Sequence, residues 1–177
     1  MLQLTNYIAK QLNEKKYVVG VFLDLKKAFD VVSHDILLAK LKNFGVNGVE
    51  LKWFTSYLAD RVQCVDIEGC LSSNKTIDIS VLQGSILGPI LFLCFINDLP
   101  SITNLISFLF ADDTAGMDSD LDLDRLLNRV NSEINKLANW FRANKMAVNV
   151  GKTKYIIFRP KGKQINLIGD GIVFNNN

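Results

Sequence analysis

Two apolar runs in this chain each end in acid, and that pairing constrains the fold more than any other feature. Tyr17-Val18-Val19-Gly20-Val21-Phe22-Leu23 is apolar on both alternating faces and rich in β-branched residues, and it stops at Asp24. Such a run predicts a central strand covered on both sides. Ile106-Ser107-Phe108-Leu109-Phe110 predicts a second strand, which leads directly into Ala111-Asp112-Asp113. A carboxylate at such a strand end is costly to desolvate unless it is paired or metal-bound, and two adjacent aspartates compound the repulsion. If the two strand ends lie side by side, Asp24 and Asp112 converge, and divalent cations would relieve the three charges. Hard oxygen ligands favour Mg2+ or Mn2+. Two such ions about 3.5–4 Å apart can carry out phosphoryl transfer. An Asp-Asp pair after a strand is also an ordinary solvated turn, so the residues alone leave both readings open.

The rest of the chain places these strands. Leu4, Ile8 and Leu12 predict an amphipathic helix over 2–15. A helix follows Ser33, a plausible N-cap, with Ile36, Leu37 and Leu41 as its stripe and Gly45 as its stop. His34, the single histidine, is expected to make a local hydrogen bond there. Val49, Trp53, Phe54, Tyr57 and Leu58 predict another helix, whose aromatic spacing points to core packing rather than base stacking. Residues 61–68 and 75–82 alternate and predict a hairpin across Gly69 to Asn74. Gln83-Gly84-Ser85 breaks the pattern, and a helix bearing Pro89 in its first turn runs to about Asn97. From about Ser119 a sustained stripe through Phe141 predicts a long helix. Residues 146–148 and 155–158 predict two closing strands around a turn at Gly151. This order predicts the α+β class, with helices packed on one face of an antiparallel sheet.

Composition narrows the function classes. With 177 residues, 49% of them hydrophobic, the chain can bury a single core and is not disordered. Its formal net charge of +2 neither demands nor forbids a nucleic-acid partner. The three cysteines, Cys64, Cys70 and Cys94, form no CxxC or Cys/His cluster. That disfavours a zinc site or a disulfide framework and fits reduced thiols inside the cell, with Cys94 in the core. The longest apolar run, Ile86 to Ile96, is broken by Gly88 and Pro89 and falls short of the ~20 residues a bilayer needs.

Four blocks in order resemble the reverse transcriptase family, of the type encoded by non-long-terminal-repeat retrotransposons. They are Phe22-Leu23-Asp24-Leu25-Lys26-Lys27-Ala28-Phe29-Asp30; Leu82-Gln83-Gly84-Ser85 with Leu87-Gly88-Pro89; Phe110-Ala111-Asp112-Asp113; and Asn149-Val150-Gly151-Lys152-Thr153-Lys154. The resemblance implies a polymerase palm with a ferredoxin/RRM-like core and RNA-directed DNA polymerase activity using two Mg2+ or Mn2+ ions. It implies Asp24, Asp112 and Asp113 as catalytic metal ligands, with Asp24 and Asp112 the principal ones. Phe29 is then a steric gate against a ribose 2′-OH, although without the family it reads as a core phenylalanine. Gln83 and Gly84 would touch the incoming nucleotide and the template. Lys152 would lie near the triphosphate, and Lys26 would meet phosphates. The implied partners are an RNA template, a DNA primer and deoxynucleoside triphosphates, with no membrane, in the nucleus or cytoplasm.

By the same resemblance, residues 1–16 are a residual fingers-side helix, 17–160 the palm, and 161–177 a truncated tail before primer grip and thumb. The expectation is a fragment with intact site chemistry and little or no polymerase activity alone. The alternatives are a degenerate or domesticated palm that binds RNA or a protein partner, and an RNA-dependent RNA polymerase, against which Phe29 argues.

Overall fold

The computed structural model describes residues 2–82, 84–165 and 171–173. In chain order its elements are α1 (Leu2–Asn13), β1 (Tyr17–Leu23), α2 (His34–Asn43), α3 (Gly48–Leu58), β2 (Arg61–Gln63), β3 (Asp66–Ile67), β4 (Cys70–Leu71), β5 (Lys75–Ile77), α4 (Leu87–Ile96), α5 (Leu99–Ile102), β6 (Ile106–Phe110), β7 (Asp113–Asp120), α6 (Leu123–Ala143) and β8 (Lys154–Phe158). They form two compact units. One comprises Met1–Lys26 with Asp98–Asn177, and the other Lys27–Asn97.

The first unit is built on a four-stranded antiparallel sheet in the order β6-β7-β1-β8. β1 is central and buried on both faces, as its unbroken apolar run requires. The class is therefore α+β, but one expectation changes: helices cover both faces of the sheet. On β7, Asp118 and Asp120 are bonded by Arg129 and Arg125 of α6. Ser119 lies between them in sequence, so its side chain points to the opposite face. There its hydroxyl accepts from Tyr7 Oη at 3.2 Å and donates to Gln11 Oε1 at 2.8 Å, both on α1.

β7 itself was not expected. Its sequence, Asp-Thr-Ala-Gly-Met-Asp-Ser-Asp, is poor in β-formers, and the long helix starts at Leu123 rather than near Ser119. Asp122 sets that start, because its carboxylate accepts from the Arg125 backbone N–H at 2.9 Å. Neighbours stabilise β7 where its own propensity does not. A side chain at Gly116 would stand 2.8 Å from Leu105 Cδ1, and one at Gly20 would stand 2.8 Å from the Met117 thioether. The two glycines thus admit bulky residues that close the core. The Arg125 guanidinium holds the Asp120 carboxyl well below the usual carboxylate range. The expected strand at 146–148 is only a bridge, Leu25↔Val148. It is flanked by Lys26 N–H to Ala147 O at 2.9 Å and Asn149 N–H to Asp24 O at 2.8 Å.

Glu133 on α6 fixes the approach to β6. Its buried carboxylate accepts from Thr103 Oγ1 (3.0 Å), Asn104 N (2.8 Å), Asn104 Nδ2 (3.1 Å) and Lys136 Nζ (2.7 Å). Burial alone would raise its pKa. The hydrogen bonds from Lys136, Asn104 and Thr103 outweigh burial and hold it at about 2, against an ordinary value of 4.5. A depressed carboxylate stabilises the fold above its unfolded-state pKa. Acid titration followed by circular dichroism should therefore show about 2–3 kcal/mol lost between roughly pH 4.5 and 2. Glu133→Gln should flatten that window.

In the second unit, α2 begins after Ser33 and ends at Asn43, two residues before Gly45, whose φ of +93° suits glycine. Ser33 occupies the cap position without a side-chain bond. His34 Nε2 is hydrogen-bonded to Ser80 O at 2.8 Å. The hairpin is two short ladders, β2 with β5 and β3 with β4, and its turn falls at Glu68-Gly69. The core holds Leu37, Leu41, Leu58, Leu91, Phe92, Phe95 and Ile96. Cys94 is half-buried rather than in that core, and all three cysteines are free. Trp53 is 52% exposed, so the expected core role fails there. Instead it stacks on Tyr57 at 5.4 Å and meets Phe54 edge-on at 5.1 Å, at the surface of α3.

Candidate active site

The acid-ended strands do share one end of the sheet, by a route the sequence did not reveal. β6 and β1 are not neighbours, because β7 lies between them. β6 turns into β7 through Ala111 and Asp112, with Phe110 paired to Asp113. Ala111 takes φ +52° there, a left-handed conformation that costs a non-glycine residue about 1–2 kcal/mol. Such strain gathers at functional turns. The tight turn delivers Asp112 to the hairpin tip and Asp113 to the first position of β7.

The β1–β7 register stops one pair short of the carboxylates. Leu23 pairs with Thr114. Continuing the ladder one step puts Asp24 across from Asp113 on the same face of the sheet, where directly opposed Cβ atoms stand about 4.5–5.5 Å apart. Asp112 sits one residue off in the turn. Asp24 is half-buried, while Asp112 and Asp113 are exposed. None of the three has a side-chain hydrogen bond or ion pair among the described residues. Unengaged carboxylates suit a hard divalent cation. Yet among the described residues no three His, Cys, Asp or Glu side chains stand close enough to hold a metal ion as they are.

The loop after α6 reaches the same sheet end. Besides Asn149 N–H bonding to Asp24 O, Thr153 Oγ1 accepts a long 3.5 Å bond from Asp24 N. Lys152 N–H and Thr153 N–H both bond to Asn149 O, at 3.0 and 2.8 Å. Asn149 thus anchors the turn that carries Lys152, a role the sequence reading missed. Lys152 and Lys26 are exposed, and neither has an ion pair among the described residues.

The remaining expected residues belong to the second unit. Phe29 is half-buried and stacks on Phe92 with centroids 4.6 Å apart. Gln83 lies outside the described residues. Gly84 is exposed at φ +83°, with open space where a Cβ would be. The close backbone approach in this motif occurs at Gly88 instead. A Cβ there would sit 2.2 Å from Leu82 O. Ser85 Oγ ties the turn, accepting from Gly88 N–H at 2.9 Å and donating to Leu82 O at 2.9 Å.

A family model described as reverse transcriptase (RNA-dependent DNA polymerase) matches residues 2–170. The RNA-directed DNA polymerase from mobile element jockey of Drosophila melanogaster is 29% identical over 164 residues, covering 88% of this chain and 18% of that protein. The retrovirus-related Pol polyprotein from type-1 retrotransposable element R2 of Popillia japonica is 30% identical over 176 residues, covering 91% and 24%. The chain thus spans about a fifth to a quarter of the length of these relatives. Among solved structures, apo telomerase from Candida tropicalis, truncated from its C-terminal domain, superposes with a TM-score of 0.64. The match has 15% identity and covers 92% of this chain and 36% of that one. Telomerase from Candida albicans in complex with a TWJ fragment of telomeric RNA gives a TM-score of 0.61, with 95% and 31% covered. At 15% identity these two speak for the fold alone.

Proposed function

The chain belongs to the reverse transcriptase family, and on that premise we propose that it is the palm of an RNA-directed DNA polymerase of the non-long-terminal-repeat retrotransposon type. On this reading residues 17–160 would be the palm and residues 1–16 would lie on its fingers side. The observation that carries the reading is the Leu23↔Thr114 register, which, continued one step, would bring Asp24 across from Asp113, beside Asp112 in the adjoining turn.

Asp24, Asp112 and Asp113 would hold two Mg2+ or Mn2+ ions, which when bound would activate a primer 3′-OH and stabilise the leaving pyrophosphate. Neutralising that triad is the precondition for an anionic nucleotide to approach it. Lys152, presented by the Asn149 turn, is suited to meet the triphosphate as a point charge, and Lys26 to meet a backbone phosphate. Gln83 and Gly84 would contact the incoming nucleotide and the template. The ring of Phe29, steadied by Phe92, would exclude a 2′-OH. The partners are an RNA template, a DNA primer and deoxynucleoside triphosphates. The three free thiols support an intracellular setting, nucleus or cytoplasm.

The test is nucleotide capture. With an RNA template, a DNA primer and Mn2+, the chain should bind the complementary deoxynucleotide in preference to the ribonucleotide. Asp113→Asn should weaken that capture, because it would remove a metal ligand and leave the Phe29 ring in place. Primer extension by this chain alone should be weak, and processive synthesis would overturn that part of the reading. A second reading, a non-catalytic palm that binds RNA or a protein, is favoured by the open spacing of the three carboxylates. Nucleotide binding that is indifferent to sugar, base and Asp113→Asn would decide for it.

A further inference from the structure

Among the described residues β6 is an edge strand, and its own sequence holds nothing to deter pairing. It is the outermost strand of its sheet, and its sequence, Ile-Ser-Phe-Leu-Phe, contains no charge and no proline. Natural edge strands are normally protected by lysine, proline, a bulge or a covering segment. The opposite edge, β8, follows that rule: it opens on Lys154, and Arg159-Pro160 follows it. On β6 the exposed side chains are large and apolar, with Ile106 45% exposed and Phe110 82% exposed.

The two-residue turn fixes which backbone groups face outwards. In such a hairpin the closing residues, here Phe110 and Asp113, form a hydrogen-bonded pair. Alternation then directs the N–H and C=O groups of Ile106, Phe108 and Phe110 towards β7. Those of Ser107 and Leu109 then point away from β7, on the side where no other strand pairs with β6 among the described residues.

We propose that β6 pairs antiparallel with β6 of a second copy of this chain, about a two-fold axis through Phe108. Ser107 of each copy then faces Leu109 of the other, and all the outward N–H and C=O groups of those residues are satisfied. On one face Phe108 meets its own equivalent, and Phe110 meets Ile106 of the other copy, on both sides of the axis. Other antiparallel registers break this match: a shift in one direction leaves Phe110 across from Asn104, and in the other sets Asp112 across from Ile106. A parallel pairing would set Asp112 against Asp112. The two-fold arrangement is closed, because each copy has one such edge. It is also small. Two five-residue edges make a contact at the small, weak end of specific interfaces, so the dimer should be concentration-dependent.

Sedimentation equilibrium of the whole chain, from about 5 to about 300 µM, tests this. A monomer–dimer equilibrium is expected. Phe110→Lys, at a site exposed enough to spare the fold, should raise the dissociation constant at least about tenfold by placing a cation against Ile106 of the other copy. In a Cys64→Ser, Cys70→Ser background, Phe108→Cys should form a covalent dimer under mild oxidation, and Ile106→Cys should not. A monomer at every concentration, an open series of larger species, a dimer indifferent to Phe110→Lys, or equal cross-linking at 106 and 108 would each overturn the proposal.

Discussion

Gly88→Ala is expected to destabilise the second unit by about 3 kcal/mol and to lower Tm by on the order of 10 °C. The added Cβ would stand 2.2 Å from Leu82 O, a backbone atom with no rotamer to yield. Relief requires moving either the first turn of α4 or the 82–85 segment, and both are tied. Ser85 Oγ bridges Leu82 O and Gly88 N–H, so displacement breaks these bonds together. Gly88 is buried, and α4 continues into Leu91 and Phe92 of the core. Two controls isolate the mechanism. Gly84→Ala lies in open space and meets only the left-handed backbone cost, about 1 kcal/mol. Gly20→Ala presses on Met117 Cε and Sδ, the far end of a flexible side chain, which can move. Thermal melts should rank Gly88→Ala well below both. A Gly88→Ala melt close to wild type would show that the 82–85 turn is free to shift.

What the sequence disclosed and what it concealed divide along one physical line. β1, β6 and α6 were legible because their own side chains encode burial: an unbroken apolar run, a second apolar run, and a stripe from Leu123 to Phe141. β7 was not, because its own residues do not favour a strand. Thr114 to Met117 are buried by what surrounds them, and Asp118 and Asp120 are tolerated through Arg129 and Arg125, residues that follow in α6. Pairing with partners on both sides overrides weak propensity. The consequence reached the site: with β7 unseen, β1 and β6 looked like neighbours, whereas β7 lies between them. Phe29 shows the reverse case. Its residue type pointed to packing and the family to a gate, and its stacking on Phe92 is compatible with both. Trp53 failed for a third reason: helical spacing identifies a face without saying whether anything covers it.

The corrected register yields the sharpest functional prediction, because neutralising one carboxylate should move two observables in opposite directions. Continued one step beyond Leu23↔Thr114, the register would set Asp24 opposite Asp113, and among the described residues no protein cation is bonded to either. Like charges directly opposed in a sheet are destabilising by up to about 1 kcal/mol. Asp113→Asn should therefore raise the metal-free Tm, by at most ~2–4 °C. If the proposed metal site holds, the same change would remove a hard anionic ligand. Loss of a residue that merely orients a ligand already costs about 10–100-fold in metal affinity, so loss of the ligand itself should cost at least about 100-fold, read by Mn2+ titration. Asp112→Asn separates the turn from the ladder. It should weaken Mn2+ binding comparably while raising the metal-free Tm less, since Asp112 has no carboxylate directly across from it. If the pair were only a solvated turn, both substitutions would leave Mn2+ binding unchanged. A fall in metal-free Tm with Asp113→Asn would show instead that the carboxylate holds the hairpin together. A protein that becomes more stable as it loses its metal has carboxylates placed for the ion rather than for the fold.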